Sequence, residues 1–142
     1  GTIWALDRAT GATRWTMAPL PLSETPSGAR PPHEDFRAMA FHDRTLVVGS
    51  ATGTLTAIDV TSRRERWRFS TPSEGSIMFS IRSDERAVYV PFFSGRLVAV
   101  SLKSGRELWR AGGPDSPFLW PPSLHRDTLY LTTEAGLYAL AR

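Results

Sequence analysis

Hydrophobic and polar positions along this chain fall into short blocks that return in the same order. An apolar stretch, a turn, and a strand of alternating polar and aromatic residues make up GTIWALDRATGATRW (1–15), GTLTAIDVTSRRERW (53–67) and GRLVAVSLKSGRELW (95–109), and GLYALAR (136–142) is a shortened fourth copy. Gly1, Gly53 and Gly95 follow one another at steps of 52 and 42, and Trp15, Trp67 and Trp109 keep the same steps. Ala5, Ala57, Ala99 and Ala139 carry the register into the fourth copy with a last step of 40. Alternation with period two is the mark of a strand with one wet face, whereas short β-branched runs such as Thr45–Ser50 mark a strand buried on both faces.

The second copy predicts strands at Phe36–Phe41, Thr45–Ser50, Thr54–Val60 and Glu65–Ser70. The third predicts Met78–Ile81, Ala87–Phe92, Arg96–Leu102 and Arg106–Ala111; the fourth predicts Phe118–Trp120, Thr128–Thr133 and Leu137–Ala141. The first copy supplies residues 2–7 and 12–17 alone. Four antiparallel strands repeated at about forty residues describe a propeller blade. The expected fold is therefore all-β: a partial ring of about three and a half four-stranded blades. It divides into the last two strands of a blade (1–17), a proline-rich loop (18–35), full blades at 36–71 and 77–112, and three strands of a blade at 118–142. Pro19, Pro21, Pro26, Pro31 and Pro32 keep the loop out of regular structure and make it a candidate contact segment.

Each recurring residue has a structural task. Gly53 and Gly95 open their strands from tight turns, and Gly11 sits in the turn between the last two strands of its copy. The alanines occupy strand positions where a neighbouring blade leaves room for a methyl group only. The tryptophans offer a flat face to the adjacent blade and an indole N–H in need of a carbonyl. Asp7 and Asp59 can accept backbone N–H bonds that close a turn.

Composition narrows the chemistry. The chain is 41% apolar and 22% charged, as soluble globular domains are, and no apolar run is long enough to span a membrane. The net charge of +3 comes from a basic set that is all arginine except Lys103, spread along the chain without the clustering a nucleic acid requires. Arginines of the last strands, among them Arg14, Arg66 and Arg106, protect blade edges against strand addition or meet an acidic partner. Without cysteine there is no disulfide framework, thiolate metal site or thiol nucleophile. His42 and His125 fall in one repeated turn, because Thr45 and Thr128 stand two periods apart, and His33-Glu34-Asp35 are too closely spaced to converge on a metal. No catalytic residue, cofactor site or metal site is expected.

The segment Ala5-Leu-Asp7-Arg-Ala-Thr10-Gly11-Ala-Thr-Arg-Trp15 resembles the pyrroloquinoline-quinone-type propeller repeat at every defined position. The second copy keeps Ala57, Asp59 and Trp67; the third keeps Ala99, Gly105 and Trp109; the fourth keeps Ala139. That resemblance implies blades held together at the Ala, Gly and Trp positions. It implies one of several roles: a quinone- and Ca²⁺-dependent dehydrogenase, the lipoprotein subunit of the outer-membrane β-barrel assembly machinery, or the extracellular sensor of a bacterial serine/threonine kinase. The chain has no cysteine, asparagine or glutamine for the dehydrogenase site, which favours a non-catalytic scaffold outside the cytoplasm, cut from a longer protein. Its partner is expected to be a protein or peptide, met by Phe36, Met39, Phe79 and Trp120 on the inner strands. Self-association to close a ring is the further expectation.

Overall fold

The computed structural model describes residues 2–17, 36–77, 80–112, 118 and 120–141. Residues Gly1–Asp35 and Phe36–Arg142 form two compact units. In the first, β1 (Ile3–Leu6) and β2 (Thr13–Met17) pair as an antiparallel hairpin. Asp7 sets the turn between them: its Oδ1 accepts the N–H groups of Ala9 and Thr10, at 3.0 and 2.9 Å. The short carboxylate thereby takes up donors that a bent backbone leaves unpaired.

The second unit holds three antiparallel sheets. The first runs β3 (Phe36–His42), β4 (Thr45–Ser50), β5 (Thr54–Asp59) and β6 (Arg64–Ser70), paired in that order. The next repeats it with β7 (Arg82–Ser83), β8 (Ala87–Pro91), β9 (Leu97–Ser101) and β10 (Glu107–Ala111). The last has β11 (Ser123–His125), β12 (Thr128–Thr133) and β13 (Gly136–Ala141). Consecutive strands pair with their neighbours throughout, so each sheet is a meander that one stretch of chain completes.

The central sheet is buried on both sides. Val88, Val90, Val98 and Val100 pack with Val47, Leu55, Ala57 and Trp67 of the sheet before it. Ala87, Tyr89, Leu97 and Ala99, their alternating neighbours, pack with Leu129, Leu131 and Phe118 of the sheet after it. That is why β8 and β9 read as continuous apolar runs. Sheets stacked face to face, each one stretch of chain, make this an all-β fold of propeller blades. Among the described residues no helix is long and apolar enough to cross a membrane.

The inner strands described in the last two sheets are Arg82–Ser83 and Ser123–His125, past the expected Met78–Ile81 and Phe118–Trp120, of which Met78, Phe79 and Leu119 lie outside the described residues. Ile77 and Phe118 do join their sheets, but as single bridges to Phe92 and Thr133. The turn fixes the pairing instead: Asp84 Oδ1 accepts the N–H groups of Arg86 and Ala87, both at 2.8 Å, and pairing starts beside it.

Candidate binding groove on the inner strands

The recurring positions take two kinds of place. Ala57 and Ala99 are fully buried in the two inter-sheet cores, Ala5 is half-buried, and Ala139 is exposed on the last sheet. Gly53 has φ 79°, and a methyl group built on it would stand 2.6 Å from the Gly75 carbonyl, so only glycine fits that turn. Gly11 and Gly95 have φ of 70° and 77°. Trp67 is buried, with its indole Nε1 donating to the Leu102 carbonyl at 2.9 Å; Trp15 is half-buried and Trp109 exposed.

Paired charges mark the outer strands. Arg14 Nη2 reaches Asp7 Oδ2 and Arg66 Nη2 reaches Asp59 Oδ2, both at 2.6 Å. Arg66 also donates to Thr45 Oγ1 at 2.8 Å, which ties β6 to β4 across the sheet. The N–H of Ser62 and then the Arg66 guanidinium hold the Asp59 carboxyl at about 2, well below its ordinary 3.8. In the third copy both partners change together, to Ser101 and Leu108. Sequence reasoning assigned these arginines to edge protection; the joint loss of Asp and Arg in one copy was the signal that they act as a pair.

On β3, Arg37, Met39 and Phe41 alternate with better-buried neighbours and face outward; Met39 is 69% and Phe41 58% exposed. Two adjoining cavities of about 300 and 320 Å³ follow this strand and share Met39, Ile81 and Arg82. Phe36, Arg37, Ser80 and Pro121 line the first, and Phe41, Leu46 and Ser83 the second. Arg82 Nε donates to the Pro122 carbonyl at 3.2 Å, which fastens the groove wall to the segment leading into β11.

Of the four residues expected to meet a partner, Phe36 and Met39 come together in this groove. Trp120 is exposed but does not line it, and Phe79 lies outside the described residues, as does the loop 18–35. Arg37, Phe41, Ile81 and Arg82 were missed. Phe41 and Ile81 read as core from their side chains alone, and nothing local shows that β3 and β7 end up as facing edges.

The groove offers apolar contact area flanked by two guanidinium groups, a combination suited to an apolar segment bearing carboxylates. Among the described residues its lining carries no carboxylate or side-chain amide, so that donor set does not fit calcium. Among the described residues no group of three or more His, Asp or Glu side chains is placed to hold a metal ion. A third cavity, of about 300 Å³, lies between the last two sheets against Tyr89, Trp109, Leu124, Leu129 and Leu140.

Comparison with known proteins agrees with this architecture. The crystal structure of BamB from Moraxella catarrhalis superposes with a TM-score of 0.70 at 24% identity, over 99% of this chain and 40% of that one. Sqt1 from Saccharomyces cerevisiae gives 0.64 at 13% identity, over 89% of this chain and 35% of that one. The chain thus spans well under half of either protein, and at these identities the likeness speaks for the fold alone. No curated protein matches the chain. A family model described as outer membrane protein assembly factor BamB matches residues 1–142. The chain belongs to that BamB-like family of propellers.

Proposed function

We propose that this chain is a non-catalytic binding scaffold, part of a larger propeller that works outside the cytoplasm in outer membrane protein assembly. Its inner-strand groove takes an extended, acidic and apolar segment of a protein partner. The observation that carries the reading is the row Arg37, Met39 and Phe41 along β3, with two large apolar side chains in solvent on a rigid strand. Exposed apolar side chains that line a groove and sit beside arginine are the usual anchors of a protein contact. Family membership supports the assembly role.

The test is a fluorescence titration with synthetic peptides of strand length, apolar at alternate positions, with and without acidic residues. Acidic peptides should bind better than neutral ones, and Met39→Asp or Phe41→Asp should weaken binding about tenfold or more, a loss of at least ~1.4 kcal/mol. Failure of every peptide to bind below ~1 mM, or affinities indifferent to both substitutions, would sink the proposal.

A further inference from the structure

Cations that are spread along the sequence are gathered by the fold. Each sheet is a meander, so its turns alternate between two ends, and the turns after the first and third strands fall at the same end. In the second unit these are the β3–β4, β5–β6, β7–β8, β9–β10 and β11–β12 turns. Neighbouring sheets bring these ends together. Trp67 of β6 rests on Gly105 in the β9–β10 turn, and Tyr89, whose hydroxyl donates to Asp84 Oδ2 at 3.0 Å, borders one cavity with Asp127.

Arg44, Arg64, Arg86, Lys103, Arg106 and Arg126 lie in or beside these turns, and all are exposed. None of their side chains has a partner among the described residues, whereas every other described arginine of the unit is engaged. Arg66 pairs with Asp59, Arg68 with Glu65, and Arg96 and Arg110 with Glu74; Arg82 donates to the Pro122 carbonyl, and Arg37 and Arg63 hold contacts of their own. Carboxylates in the same turns are mostly occupied. Asp59 and Asp84 accept backbone N–H groups and Asp127 has a partner, which leaves Asp43 and Glu85 as the free acids.

We propose that this face of turns docks on an anionic membrane surface, with its guanidinium groups on the headgroup phosphates. Three features select that partner. The turns hold only two to five residues between strands, so none stands far above the rest and the face is flat. The free cations sit one or two to a turn across three sheets stacked about 10 Å apart, which suits a continuous charged surface rather than a pocket. All but Lys103 are arginine, whose planar fork meets phosphate in two parallel bonds. A single-stranded nucleic acid would call for aromatic platforms, and these turns contain no Phe, Tyr or Trp. Stacking covers the faces of sheets and leaves their ends open, so further blades extend this surface instead of hiding it. The proposal does not depend on the groove of the inner strands.

Co-sedimentation of the intact protein with lipid vesicles tests it. Phosphatidylcholine vesicles carrying about 30% phosphatidylglycerol should bind at least about tenfold more tightly than phosphatidylcholine alone at about 0.1 M salt. Salt at about 1 M, where the screening length falls from about 10 to about 3 Å, should release the protein. Arg44→Ala, Arg86→Ala and Arg126→Ala should each weaken binding about fivefold, and the triple variant about a hundredfold. Ala135→Glu makes the same change in net charge as one of these, but in the β12–β13 turn at the opposite end, and should leave binding unchanged. All four positions are exposed, so the melting temperatures of the variants should stay near that of the wild type. Equal sedimentation with both kinds of vesicle overturns the proposal. So does an Ala135→Glu variant weakened as much as Arg44→Ala, which would reduce the effect to net charge. Tighter binding to duplex DNA or polyglutamate than to the anionic vesicles would give the face to another polyanion and overturn it too.

Discussion

Trp67 rests on Gly105: the place where a β-carbon would stand is 2.7 Å from the indole ring, and the ring nitrogen donates to the Leu102 carbonyl three residues earlier. One side chain thus reads both the absent side chain of the next sheet and the carbonyl beside it. The repeat's Gly and Trp positions are two halves of one contact, made between successive copies rather than within one.

Gly105→Ala should therefore destabilise the chain by about 1–3 kcal/mol, from overpacking against the ring together with a strained positive φ. Gly11→Ala, with φ 70° and open space around it, should cost only about 1 kcal/mol, from the backbone alone. Trp67→Phe keeps most of the packing, loses the indole donor and should cost about 1–3 kcal/mol. Urea midpoints of the three variants check the ranking.

Acid should weaken the turn at Asp59. Its carboxyl is held at about 2 in the folded chain against an ordinary 3.8, chiefly by the Ser62 N–H and then by Arg66. A depressed folded value contributes stability that is present above the ordinary value and is lost as pH falls through the folded one. The melting temperature should therefore fall as pH drops from about 4 to about 2, and Asp59→Asn should flatten that part of the profile. An unchanged slope in the variant would assign the acid sensitivity to Asp7 and Glu107, whose carboxyls are also held low, by the Thr10 N–H first and by Arg110 respectively.

The third copy can be given the pair it lacks. Ser101→Asp with Leu108→Arg should stabilise the chain by about 0.2–1 kcal/mol beyond the sum of the single changes, the range of exposed ion pairs. A double-mutant cycle in urea measures it. Additive behaviour would mean that Asp7–Arg14 and Asp59–Arg66 are held by their turns rather than holding them.

Pyrroloquinoline quinone with Ca²⁺ should leave the melting temperature unchanged, because the described groove lining has no carboxylate or side-chain amide to hold the ion. A rise, accompanied by dye-linked oxidation of an alcohol or sugar, would restore the dehydrogenase reading.

The propeller was legible because its signals are local and multiplied. Ala57 and Ala99, Trp67 and Trp109 recur at fixed steps, and β4, β8 and β9 advertise burial on two faces by their apolar runs. The inner strands were less legible. Met78–Ile81 and Phe118–Trp120 read as strands, but Ile77 and Phe118 join their sheets by single bridges, while the Asp84 turn sets where pairing begins on β7. The groove was half legible: Phe36 and Met39 were named, but Phe41 and Arg82 enter it through the meeting of two sheets. That is a tertiary fact with no trace in either strand's own pattern.

The unequal steps between copies bear on how this repeat can vary in length. From the inner strand's turn onward the strands pair antiparallel, and a residue added inside one would turn the buried side chains beyond it outward unless taken up as a bulge, as between Ala57 and Ile58. Of the steps of 52 and 42 between copies, the added length of the first lies before Phe36, between one copy and the next. New sequence can therefore enter ahead of an inner strand without disturbing the Trp67–Gly105 contact, and a scaffold of this kind can acquire new binding surfaces while its blades stay in phase.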